Sequence, residues 1–127
     1  MFKNARTFSS FSVNDLSAAK RFYRDTLGFN VSEPMGQLQL DLAGGARVFI
    51  YQKPDHTPAG FTVFNIEVDS VDQAVDALRE RGVRFEHYDR EDLKTDDKGI
   101  MRGGKGEPTI AWFKDPAGNV VSVVSKS

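Results

Sequence analysis

The chain has 127 residues, 39% of them hydrophobic and 28% charged, so its length and composition predict one globular domain. Seventeen basic residues against eighteen acidic ones leave a net charge of −1 without a basic stripe, which argues against a nucleic-acid partner, and no apolar run reaches the roughly 20 residues that a membrane span needs. The absence of cysteine excludes disulfides and thiolate ligands, and a start without a signal-peptide pattern leads us to expect a cytoplasmic protein.

The first half of the chain predicts a βαβββ module over residues 5–54. The alternating run 8–13 is typical of a strand, and Asn14 is expected to cap a helix that ends at Gly28. Three short strands are then predicted at 29–33, 38–42 and 47–52.

The second half repeats this order over residues 60–125, with equivalent positions about 55 residues apart. A strand at 61–68 precedes a helix with a Ser70–Gln73 capping box and a stop at Gly82. The remaining strands are predicted at 83–88, 109–114 and 120–124. The repeat therefore predicts two similar modules joined by a linker near Pro54 to Gly60.

A polar, glycine-rich stretch at 89–108 separates two of these strands. A connection of this length is typical of a lid, with glycines as hinges and Ile100 or Met101 able to close over an apolar ligand. Its match to G-x-x-x-x-G-K does not predict a phosphate-binding loop, because Gly106 stands where Ser or Thr must reach Mg²⁺.

Four motifs in order carry a family resemblance: VNDL (13–16), FY (22–23), LGF (27–29) and FKDPAGNVV (113–121). Together they resemble the vicinal-oxygen-chelate superfamily, which includes glyoxalase I, extradiol dioxygenases, fosfomycin-resistance enzymes and bleomycin-resistance proteins. The resemblance implies an α+β fold in which two tandem βαβββ modules form an open, barrel-like cleft. It also implies a homodimer.

In metal-dependent members of this family, four strand side chains hold a divalent ion. The family's pattern matches these positions to Phe8, a residue at or beside Phe49, Val63 and Ser122. Phe and Val have no donor atom for a metal, so we expect neither a metal nor another cofactor.

Strand alternation places one set of side chains on the face of each sheet away from the helices. The predicted ligand-binding residues on this face are Phe8, Ser10, Phe49, Tyr51, Val63, Asn65, Glu67, Trp112 and Ser122. Aromatic walls with a few polar groups are typical of small-molecule pockets, and Trp112, the only tryptophan, is the natural stacking surface. The alternative is that the aromatic residues only fill a core and that Glu67 is solvated.

Neither histidine matches a ligand position of the family. Surface or structural roles are expected for His56, in the linker, and for His87, at the end of the 83–88 strand. The alternative is a relocated metal site that combines both histidines with an acid.

The sequence therefore predicts a metal-independent small-molecule-binding protein that binds or sequesters an apolar or aromatic ligand. The alternative is a glyoxalase-type lyase, isomerase or dioxygenase with a relocated metal site, or with metal-free acid/base catalysis by Glu67 or His87. Whether the chain catalyses a reaction is left open.

Overall fold

The chain forms two structural units, Met1–Pro58 (unit 1) and Ala59–Ser127 (unit 2). The structure is a computed structural model that describes residues 1–126. Each unit contains one four-stranded sheet and one main helix.

Unit 1 is a mixed sheet with a helix after its first strand. The elements are β1 (Ser9–Val13), α1 (Leu16–Lys20) continued by a π-helical turn (Arg21–Thr26), β2 (Asn30–Ser32), β3 (Leu38–Asp41) and β4 (Arg47–Gln52). The strand order is β1-β4-β3-β2, in which β1 runs parallel to β4 and the other pairs are antiparallel. This is the βαβββ order that the sequence predicts.

The first helix begins one residue later than predicted. Asp15, and not Asn14, is the N-cap, because its Oδ1 accepts the Ala18 N–H at 3.1 Å. Asn and Asp are equally good caps, so sequence preference alone does not separate them. The helix buries Tyr23 completely, and Gly28, with φ of +81°, follows its end as predicted.

Unit 2 repeats this arrangement with an additional hairpin. Its elements are β5 (Thr62–Glu67), α2 (Val71–Glu80), a two-stranded hairpin of β6 (Asp89–Arg90) and β7 (Leu93–Lys94), then β8 (Ile100–Met101), β9 (Thr109–Lys114) and β10 (Val120–Ser125). The order of the larger sheet is β5-β10-β9-β8, with β5 parallel to β10. The predicted α+β class is confirmed, and neither four-stranded sheet closes on itself.

The second helix starts and ends as the sequence predicts. Ser70 Oγ accepts the Gln73 N–H at 3.2 Å, and Gly82 follows the last turn with φ of +89°. Its apolar side is buried at Val71 and Val75. Among residues 1–126, no helix is long and apolar enough to cross a lipid bilayer.

The predicted strand at 83–88 is wrong. Only Phe85 forms a bridge to β9, opposite Phe113, and the Glu86 N–H donates to the Trp112 carbonyl at 2.8 Å. The chain then leaves the sheet and returns at β8, where Ile100 pairs with Ala111. The edge of this sheet is therefore built from two pieces, and pairing partners of this kind cannot be read from local alternation.

The prediction that Ile100 belongs to a lid is also wrong. Ile100 is 1% exposed and lies in the core of unit 2. Gly99 is tightly packed, because a Cβ there would lie 2.9 Å from the Glu86 carbonyl oxygen. Similarly, a Cβ at Gly103 would lie 2.1 Å from the Pro108 oxygen. These glycines permit close packing of the returning chain.

An ion-pair cluster, here called the Asp72 clamp, fixes the residues on both sides of β8 to α2. It consists of Asp72, Asp76, Asp96, Lys98 and Arg102. The Asp72 carboxylate accepts hydrogen bonds from Nη1 and Nη2 of Arg102, at 2.8 and 2.9 Å, and from Nζ of Lys98 at 3.2 Å. Arg102 Nε also donates to Asp96 at 3.0 Å. The hydrogen bonds from Arg102, followed by that from Lys98, hold the pKa of Asp72 well below its ordinary value.

Candidate functional site

The unit 1 open face is the side of its sheet opposite to the side that packs on the helix. Phe11 contacts Tyr23 of the helical segment with ring centroids 6.0 Å apart, so residues that alternate with Phe11 point the other way. In register, Ser10 lies beside Phe49, and Ser12 lies beside Tyr51. The predicted unit 1 residues therefore share one face.

Aromatic rings form a row on the unit 1 open face. Phe8 and Phe49 meet edge to face with centroids 6.2 Å apart, and Phe49 stacks on Tyr51 at 6.3 Å with a 22° interplanar angle. Phe8 is 57% exposed, which is unusual for a core residue, and Arg47 lies over its ring at 5.2 Å. The alternative that Phe8 only fills a core does not describe this exposed ring.

A cavity of about 390 Å³ adjoins the start of this row. It is lined by Arg6, Thr7, Phe8, Ser9, Gly44, Gly45, Ala46 and Arg47. The lining combines two guanidinium groups with one exposed ring, which suits a planar group that carries negative charge.

A serine and a histidine are paired at the other end of the unit 1 open face. Ser12 Oγ lies 2.6 Å from His56 Nδ1, and both side chains are partly buried. Sequence analysis missed this pair, because 44 residues separate its members and no local pattern links them. A hydroxyl within hydrogen-bond distance of an imidazole is an arrangement capable of proton transfer.

The unit 2 open face is the corresponding side of the second sheet. Ser122 lies in register between Trp112 on β9 and Asn65 on β5. The neighbouring positions Phe113 and Val121 point to the opposite side and are fully buried. The structure therefore brings three of the predicted polar and aromatic residues together.

Ser122 and Asn65 form a hydrogen bond within this face. Ser122 is fully buried, and its Oγ donates to Asn65 Oδ1 at 2.6 Å. Asn65 is exposed, and its Nδ2 has no hydrogen-bond partner among residues 1–126. The pair thus fixes the amide orientation and leaves two N–H donors available.

Trp112 is held from two sides. Its Nε1 donates to Thr62 Oγ1 at 3.1 Å, and its ring meets Tyr88 edge to face at 5.6 Å. Arg90 in turn lies 5.4 Å from the Tyr88 ring centroid. These contacts orient the indole ring, which is partly buried.

Thr62 was missed because β5 contains a register shift. Val120 pairs with Thr62, but Val121 pairs with Phe64, so Val63 is the additional residue between them. The shift places Thr62 on the same face as Ser122, where strict alternation would have put only Val63 and Asn65. Val63, a predicted ligand-binding residue, is partly buried at this irregularity.

Glu67 is exposed at the end of β5 and lines a cavity of about 480 Å³. The other lining residues are Val68, Asp69, Pro108, Val124, Ser125 and Lys126. This carboxylate is therefore accessible to solvent.

The residues that the sequence motifs match to the family's four metal positions do not fit a divalent ion. Phe8, Phe49 and Val63 offer no ligand atom, and the hydroxyl of Ser122 already donates to Asn65. In the part of the chain that the structure describes, no three His, Cys, Asp or Glu side chains are grouped so that they could hold a metal ion. His87 instead contacts the Asp97 carbonyl oxygen through Nε2 at 3.1 Å.

The two units have the same strand order, and each has one main helix and an open face with polar and aromatic side chains. These features define a protein of tandem βαβββ modules. The chain belongs to the glyoxalase/bleomycin resistance protein/dioxygenase superfamily, whose family profile matches residues 8–123. The assignment made from the sequence motifs is thereby confirmed. A comparison with functionally curated proteins gives no significant match.

Several solved structures are similar over nearly the whole chain. The antibiotic-binding protein TnmS3 from a Streptomyces species is 26% identical, with 98% of each chain covered and a TM-score of 0.65. The fosfomycin resistance protein FosX from Listeria monocytogenes is 12% identical, with 98% of this chain and 94% of that chain covered and a TM-score of 0.73. A virulence protein from Salmonella typhimurium is 18% identical, with both chains fully covered and a TM-score of 0.69. The last two similarities concern the fold alone.

Proposed function

We propose that this protein binds a small apolar or aromatic molecule without a metal ion. The observation that carries the proposal is the replacement of donor atoms at the family's metal positions by Phe8, Phe49 and Val63. A site without metal ligands must recognise its ligand through ring contacts and hydrogen bonds, and both open faces offer these groups.

The proposed binding residues divide between two kinds of contact. Phe8, Phe49 and Tyr51 on unit 1 and Trp112 on unit 2 supply ring surfaces. Ser10, Asn65 and Glu67 supply exposed polar atoms, while Ser122 positions the Asn65 amide and Val63 adds an apolar contact. The antibiotic-binding activity named for the similar Streptomyces protein supports a binding function of this kind.

A planar aromatic dye provides a test on the full chain. We expect 8-anilinonaphthalene-1-sulfonate to bind saturably and Trp112→Leu to weaken its binding about fivefold or more, because stacking area is lost. Phe61→Leu is the matched control: Phe61 is 71% exposed in unit 2 and does not belong to the proposed site, so its replacement should change the affinity little. Equal affinity of the Trp112→Leu variant and the wild type would contradict the assignment of Trp112.

Metal analysis together with native mass spectrometry tests the rest of the proposal. Freshly purified protein should carry no stoichiometric divalent ion, and any retained ligand should be recovered unchanged. A stoichiometric metal whose removal abolishes an activity would overturn metal independence. The same spectra test our proposal of a homodimer, and fractionation of cells tests the proposed cytoplasmic location.

The second candidate is a metal-free enzyme of the glyoxalase type. The specific observation in its favour is the Ser12–His56 contact at 2.6 Å, which places a hydroxyl beside a base. Turnover of a bound ligand that is lost in His56→Gln, or in Glu67→Gln, would support catalysis. Turnover that survives both changes would contradict acid/base roles for these residues.

A further inference from the structure

A further cavity, of about 420 Å³, lies beyond the C-terminal end of α2. It is lined by Arg79, Gly82, Val83, Arg84, Phe85, His87 and Lys98. None of these residues belongs to either open face, because Phe85 packs on the buried side of the sheet against Phe113 at 5.4 Å. The cavity is therefore separate from the proposed ligand site.

The lining of this cavity has a local excess of positive charge. It contains three permanent cations and no carboxylate, although the whole chain has nearly equal numbers of acids and bases. Lys98 is compensated, since its Nζ lies 2.9 Å from Asp76 and 3.2 Å from Asp72. In contrast, Arg79 and Arg84 form no ion pair within residues 1–126.

The backbone that carries the two arginines is fixed. The Gly82 N–H donates to the Arg79 carbonyl and the Val83 N–H to the Leu78 carbonyl, each at 3.0 Å. Val83 and Phe85 are each 8% exposed, so the chain between the arginines is anchored in the core. Because these two N–H groups are already used, the side chains of Arg79 and Arg84 are left as hydrogen-bond donors for a bound group.

The opposite wall is held equally firmly. Gly99 brings its turn so close that a Cβ there would lie 2.9 Å from the Glu86 oxygen. Lys98, on this turn, is bound by the Asp72 clamp, and His87 contacts the Asp97 oxygen. The backbone of both walls is thus held in place.

Basic residues near a helix C-terminus also interact favourably with the helix dipole. This effect accounts for Arg79, in the last turn of α2, but not for Arg84, which lies beyond Gly82. We propose that the cavity binds a small organic anion whose carboxylate or phosphate group is held by Arg79 and Arg84. Guanidinium groups suit this role because they donate paired hydrogen bonds to the oxygens of carboxylate and phosphate groups.

The test uses inorganic phosphate and butyrate, each titrated into the full chain while backbone amide signals are followed by NMR. Both anions should give saturable shifts confined to residues 79–87 and 96–99, weakening as chloride is raised. Tighter binding of phosphate than of butyrate would identify a phosphate group as the preferred one, and tighter binding of butyrate would identify a carboxylate. Absence of saturable shifts with phosphate and with butyrate would overturn the proposal.

Two variants that each remove one positive charge distinguish binding in the cavity from nonspecific electrostatic attraction. Arg84→Gln should weaken binding about tenfold, because it removes charge-assisted hydrogen bonds. Lys105→Gln removes one exposed positive charge of unit 2 outside the cavity and should change the affinity less than about twofold. Equal weakening by both variants would overturn the proposal. Arg84→Gln should retain a native amide spectrum, and if it does not, Arg79→Gln takes its place in the comparison.

Discussion

Replacing Ile100 with alanine separates two roles for the segment before β9. A residue in a mobile lid would contribute almost nothing to the free energy of unfolding. Ile100, in β8, is instead 1% exposed and pairs with Ala111 of β9, so its side chain belongs to the core of unit 2. We therefore expect Ile100→Ala to destabilise the protein strongly.

The magnitude follows from burial and from how little the site can relax. Truncating a buried isoleucine to alanine costs about 2–5 kcal/mol, and less where the surroundings collapse into the space. β8 is an edge strand, which favours the lower part of this range. However, Gly99 is packed against Glu86 on one side, and Arg102 is held by Asp72 on the other, so collapse is restricted. We expect a loss of about 3 kcal/mol.

Urea unfolding, followed by Trp112 fluorescence and by far-UV circular dichroism, measures this loss. Met101→Ala is the control, because Met101 is the neighbouring residue, is only partly buried and pairs with Ile110 on the open face. Its loss should stay below about 1 kcal/mol. A loss below about 1 kcal/mol for Ile100→Ala, or no difference between the two variants, would refute the core assignment.

Three further changes test contacts that hold unit 2 together. Arg102 lowers the pKa of Asp72 in the folded state. The Asp72 clamp therefore stabilises the folded protein fully at pH values above the unfolded-state pKa of about 3.9, and this stabilisation is lost as the pH falls below that pKa. Because the Asp72 carboxylate is 46% exposed, Asp72→Asn should lower the free energy of unfolding by less than about 1 kcal/mol at neutral pH. The same change should make the free energy of unfolding, measured in urea, fall less steeply as the solution is acidified. Ser122→Ala removes the hydrogen bond to Asn65 and should lower the unfolding free energy by about 1 kcal/mol in the same assay, with hydration of the exposed amide limiting the loss. Gly99→Ala combines a φ of +84° with a backbone clash and should cost about 2 kcal/mol or more, which scanning calorimetry would detect as a lower Tm.

Matched variants set the scale for these changes. Asp76→Asn removes a carboxylate that binds Lys98 but not Arg102, so the acid side of its profile should stay closer to that of the wild type. Gly104→Ala, where a Cβ meets nothing within 4 Å, should cost far less than Gly99→Ala. Each contact has an outcome that would contradict it. For Asp72 it is an unchanged dependence of the free energy of unfolding on acidic pH in Asp72→Asn. For the other two contacts it is an unchanged stability of Ser122→Ala or of Gly99→Ala.

Local sequence patterns predicted most of unit 1. Alternation assigned Ser10, Phe49 and Tyr51 to one face, and the structure places them there in register. Cap and stop residues placed both helices within a residue of their starts, because these preferences depend on backbone geometry over a single turn. The motifs around Asp15 and Gly118 were sufficient for the family assignment.

Apart from the N-cap of the first helix, the incorrect and missing predictions depend on contacts between distant residues. In the strand expected at 83–88, Val83 and Phe85 are buried as alternation predicts. However, the chain returns to the sheet at β8, and Ile100 pairs with Ala111 on β9 in place of a residue of that strand. Thr62 was not among the predicted site residues, because the register shift that places it beside Trp112 is a property of two strands together.

The sequence alone determined the α+β class and the repeated module, since the local period of each segment specifies both. Only the tertiary structure decided that Ser12 meets His56, that Thr62 holds Trp112 and that Arg79 and Arg84 share a cavity. The physical reason is that these contacts depend on strand register and on the path of the chain between elements. Both are selected by packing of the whole unit and leave no periodic trace in the sequence.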